Sequence, residues 1–88
     1  MNAIVTINDS NQDKFLRVAF DLLLQEKGWN AIAEVENSYI KNFESTEQQH
    51  VIKLAQKEID DVVFNAEWEK LKFIIITTDT NYSIMETR

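Results

Sequence analysis

Five carboxylates, Glu58, Asp60, Asp61, Glu67 and Glu69, crowd the stretch KEIDDVVFNAEWEKLKF over residues 57–73. Carboxylates at helical spacing can share a hard cation. The glycine turn and ordered ligand series of a calcium loop are missing here, and Lys57 and Lys70 supply counter-charges, so these side chains read as solvated helix surface. The sole histidine, His50, has no cysteine and no second histidine to join, and no serine stands in a nucleophile pattern with it. With one glycine in the chain there is no phosphate cradle. Acid-base chemistry by a carboxylate pair needs a pocket, which so short a chain is not expected to enclose. The expectation is a protein that is not an enzyme and holds no metal and no cofactor.

Aromatic residues in the same stretch suggest binding instead. On a helical wheel Phe64 falls about 100° outside the apolar stripe, beside Asp60, Asp61 and Lys57. Trp68 stands between Glu67 and Glu69. Asp60, Asp61, Phe64, Glu67, Trp68 and Glu69 together make an aromatic anchor rimmed by charge, which is how compact binding patches are built. The competing reading packs Phe64 and Trp68 beneath a neighbouring segment such as the one around Tyr82, because large aromatics are mostly buried.

Charge narrows the partner. Fifteen acidic against nine basic residues give a net charge of −6, which repels a phosphate backbone and suits a protein with a basic surface. Imitation of nucleic acid is a further use for such charge, at only moderate density here. The absence of cysteine removes disulfides and thiolate metal sites, the N-terminus lacks the basic and apolar regions of a signal peptide, and no run approaches the ~20 apolar residues of a membrane span. A cytoplasmic protein is expected.

At 88 residues, with 44% hydrophobic and 27% charged residues, the chain reads as one ordered domain, residues 1–88, with a thin core. Residues 3–7, AIVTI, read as a strand. Ser10 and Asp13 form a helix-start signature, and apolar residues fill more than half the wheel from Asn11 to Lys27, so this helix is expected to be heavily covered. Gly28 is placed to stop it, with Trp29 folding back on the last turn.

Residues 30–43 fit two patterns. As a helix capped by Asn30 they align Ile32, Val35, Tyr39 and Phe43 on one stripe; as two short strands they turn at Glu36-Asn37. Ser45 and Gln48 spell a capping box for a helix from Thr46 to about Ala66, with Val51, Ala55, Ile59, Val62, Val63 and Ala66 inward. LKFIIITTD, apolar on both alternating faces, reads as a strand of the kind found at a sheet centre, and YSIMET as a last strand after a turn.

The leading assembly is α+β: a small antiparallel three-stranded sheet with three helices on one face, in the order β-α-α-α-β-β. The alternative is a ferredoxin-like βαββαβ arrangement. A single helical layer leaves Ile4, Ile74, Ile76 and Met85 on an uncovered apolar sheet face, which marks a self-association surface that a homodimer would hide. The functional expectation is a small acidic binding protein of the inhibitor, antitoxin, immunity or phage-encoded modulator type. A ferredoxin-like small-ligand-binding or regulatory module that dimerises through its sheet is the alternative.

Overall fold

The computed structural model describes residues 1–8, 14–66 and 71–79, with side chains from Arg17 onward in the first helix. Its elements are β1 (Asn2–Ile7), α1 (Lys14–Glu26), β2 (Asn30–Ala31), β3 (Ser38–Asn42), α2 (Gln48–Asn65) and β4 (Phe73–Thr78). The strands form one four-stranded sheet in the order β2-β3-β1-β4, every neighbouring pair antiparallel. This corrects the expected three-stranded sheet with three helices: among the described residues there are four strands and two helices, and the class remains α+β. The element order is β-α-β-β-α-β, two interleaved split β-α-β units. The Ser10–Asp13 helix start and the YSIMET strand lie outside the described residues.

The third expected helix is where the two readings part. Residues 32–37 form a loop closed by Ile32 N–H to Ser38 O at 2.9 Å and Val35 N–H to Ile32 O at 3.0 Å, and Asn37 takes φ 61°. Asparagine tolerates that left-handed region because its short polar side chain bonds locally. The stripe is not buried as a unit: Ile32, Tyr39 and Phe43 are buried while Val35 is exposed. Tyr39 and Phe43 reach the core because they alternate along an extended strand, with Lys41 between them on the same side.

Alternation also sorts β1. Ala3, Val5 and Ile7 are buried beneath the helices, and Asn2, Ile4 and Thr6 face the other way. Registry carries this to β4, where Val5 pairs with Ile75 and Ile7 with Phe73 on the covered side, and Ile4 pairs with Ile76 and Thr6 with Ile74 on the outer side. The β4 strand is apolar on both faces, yet among the described residues β1 is its one neighbour. The YSIMET strand expected on its other side lies outside the described residues.

Gly28 has φ 91° and ends α1. Its N–H bonds Gln25 O at 3.0 Å and the Trp29 N–H bonds Leu24 O at 3.0 Å, the paired bonds of a Schellman stop. This turn drives Trp29 into the core, where its ring meets Phe43 edge-on at 6.0 Å. The first helix is less covered than its wheel suggests, with Val18 57% and Leu22 56% exposed. The second begins at Gln48 with Glu47 as N-cap and no side-chain cap bond. Ser45 accepts from Glu47 N–H at 3.2 Å, so it shapes the approach to the helix rather than closing a capping box. Val51, Ala55, Ile59 and Val62 line the buried side of α2.

Candidate functional site

The outer surface of α2 holds the described part of the predicted acidic patch. Ile59 and Val62 point inward, which turns Asp60, Asp61 and Phe64 outward on adjacent turns. Phe64 is 82% exposed and no described element covers it, while the segment around Tyr82 named in the packed reading lies outside the described residues. Asp60 and Asp61 are exposed, and Asp61 lies 3.9 Å from the Lys27 ammonium at the end of α1. Glu67, Trp68 and Glu69 lie outside the described residues. His50 is exposed in the first turn of α2. Among the described residues no group of three or more His, Cys, Asp or Glu side chains could hold a metal ion.

A second feature was hidden in the sequence. Lys41 points from β3 beneath the helices, and its ammonium donates to both carboxylate oxygens of Glu58, at 2.7 and 3.0 Å, and to Lys27 O at 2.6 Å. Trp29 Nε1 donates to the same Glu58 at 3.1 Å, and Lys41 sits 5.0 Å from the Phe43 ring centroid. One carboxylate on α2 thereby ties the end of α1 to β3. Glu58, counted in sequence among the surface acids, is spent on this structural pair, and Asp61 lines the same hollow as Glu58, beside Lys27 and Lys41.

The first helix and the 32–37 loop frame an open cleft of about 470 Å³, lined in part by Arg17, Asp21, Ile32, Val35 and Tyr39. A hollow of that size was not expected of so short a chain. Arg17 donates to Asn37 Oδ1 and to the Tyr39 hydroxyl, each at 2.9 Å, and to Asp21 at 3.3 Å. The Tyr39 hydroxyl in turn donates to Asp21. Burial pushes the Tyr39 phenol well above its ordinary range, reinforced by its bond to the Asp21 carboxylate and by that negative charge, with Arg17 opposing and outweighed. A phenol held this way keeps its proton and is a poor general base near neutral pH. The polar groups of the cleft face one another and pin the loop to α1.

The outer sheet face is the third surface. Ile74 and Ile76 are 64% and 57% exposed, and Ile4 and Ile40 lie in the same cross-strand row as Ile76. The predicted self-association residues Ile4, Ile74 and Ile76 thus share one face, while Met85 lies outside the described residues. No described helix is long and apolar enough to cross a membrane. No protein-family model matches this chain, and no curated protein or solved structure shows significant similarity to it.

Proposed function

We propose that this chain is a small, acidic, non-catalytic binding protein of the cytoplasm that engages another protein bearing a basic surface, the kind of task performed by inhibitors, antitoxins, immunity proteins and phage-encoded modulators. The observation that carries this reading is Phe64, a large aromatic 82% exposed on α2 with Asp60 and Asp61 one turn before it. An exposed Phe in water leaves apolar surface that a partner can desolvate, and the two carboxylates attract cationic side chains around it. The net charge of −6 steers a basic partner toward the molecule.

The test is affinity capture from the organism that carries the gene, run in parallel with wild type, Phe64→Ala and Asp60→Asn/Asp61→Asn. The expected result is a basic protein captured by wild type and lost with either variant, while the Phe64→Ala melt is unchanged because an exposed side chain contributes within about 0.5 kcal/mol. A Phe64→Ala variant that melts several degrees lower makes Phe64 a core residue and overturns the reading. So does capture that is indifferent to all three substitutions.

A further inference from the structure

We propose that the outer face of the sheet is a homodimer interface, covered in solution by the same face of a second copy. The argument begins with charge. The outward positions of β1, β3 and β4 are occupied by Ile, Asn, Thr and Ser alone, in a chain that is 27% charged. Ile4, Ile40 and Ile76 form an apolar row across three strands, and Ile74 adds to it in the next row. Such a face cannot select a basic partner, because a cation placed on it would lose water and gain no counter-charge. Its complement is another surface that is flat, apolar and neutral, and a second copy supplies one.

Three further observations fit a self-paired face. The polar side chains within it already have partners in the plane: Thr6 Oγ1 and Ser38 Oγ lie 2.9 Å apart, and Asn42 Nδ2 donates to Asn2 Oδ1 at 2.9 Å. Covering them with apolar surface therefore strands few polar groups. At the end of β1 and β4, a hollow of about 260 Å³ lined by Thr6, Ile7, Asn8, Phe73, Ile74 and the charged Lys72 offers a seat for a side chain of the opposing copy. In addition, two chains of net charge −6 repel, and a contact across strand positions that carry no acidic side chain is the least opposed by that repulsion.

Area sets the strength. Strands about 4.8 Å apart, rising about 3.4 Å per residue, give this four-stranded face an accessible area on the order of 400–500 Å². Two such faces bury roughly 800–1,000 Å² in total, which is the size of weak, transient interfaces, so the dimer is a reversible one.

Sedimentation equilibrium of the full chain, from about 1 µM to about 1 mM, tests this. The expected result is a mass rising with concentration from the 10.3 kDa of one chain to twice that value and no further. Ile76→Lys and Ile74→Lys, both at exposed positions, are expected to keep the native circular dichroism and hold the chain at one copy. Phe64→Ala is expected to leave the dimer intact, so failure of the α2 reading and failure of this one are told apart. A wild-type chain that stays at one copy throughout overturns the proposal. A dimer that survives both lysine variants, or that Phe64→Ala dissociates, overturns it as well.

Discussion

Tyr39 carries two kinds of side-chain work at once. Its ring packs edge-on against Phe20 at 6.1 Å inside the core, and its hydroxyl closes the Arg17 and Asp21 network at the cleft wall. Burial and Asp21 raise its phenol above the ordinary value of 10.0. Below pH 10 the phenol is protonated in both folded and unfolded chains, and its contribution to stability is fully present. As the pH rises past 10 the unfolded chain ionises first, so the folded state loses ground. The melting temperature is therefore expected to fall steeply above pH 10. Tyr39→Phe should lower the melt at neutral pH by the loss of its hydrogen bonds, about 1 kcal/mol, and flatten the alkaline decline. Absorbance at the phenolate band checks the same point: one phenol should ionise late in wild type, and that late step should vanish in Tyr39→Phe. A variant with the same alkaline profile would show that Tyr39 is not the group responsible.

The elements differ in how openly the residues announce them. The stop at Gly28 was plain because few other residues adopt φ 91° without penalty, and the paired bonds to Leu24 and Gln25 follow from that one turn. A Cβ at position 28 would meet Lys41 Cε at 3.5 Å, an ordinary contact, so the cost of Gly28→Ala is conformational rather than steric. That cost is about 1 kcal/mol, or roughly 4–8 °C in the melt of a domain this size, and Gly28→Asn should recover much of it. An alanine variant with unchanged stability would mean that the turn is not what holds the end of α1. The β3 strand, in contrast, was obscured by Lys41. A lysine on the core side breaks the alternation of apolar and polar residues that marks a strand, and spacings of three and four among Ile32, Val35, Tyr39 and Phe43 imitate a helix. The tertiary partners Glu58, 17 residues away, and the Lys27 carbonyl make an inward lysine tolerable. The acidic patch was legible in part for a related reason: Asp60, Asp61 and Phe64 lie off the buried stripe of α2 and can be placed by period alone. Glu58 lies close to the same stripe, and nothing in its spacing shows that it answers a lysine from another strand.

Across the whole molecule the two candidate surfaces are chemically opposite, and salt separates them. The face around Phe64 is bordered by Asp60 and Asp61, whereas the outer positions of β1, β3 and β4 are neutral. The apolar character of β4 on both sides made this second surface visible from sequence, since a single helical layer can cover only one of them. Attraction between an acidic patch and a basic partner is screened once the Debye length shrinks to about 10 Å near 0.1 M salt and below at higher concentration. Capture through α2 should therefore weaken strongly between about 50 mM and about 500 mM sodium chloride, chiefly by slower association. Pairing of the sheet faces has no attractive charge term to screen and one repulsive term, the mutual repulsion of two chains at −6 each. The dimer should then hold or tighten over the same range, and sedimentation at the two salt concentrations measures it. Dissociation of the dimer by salt would place charged residues in the seam and move the interface away from Ile4, Ile74 and Ile76.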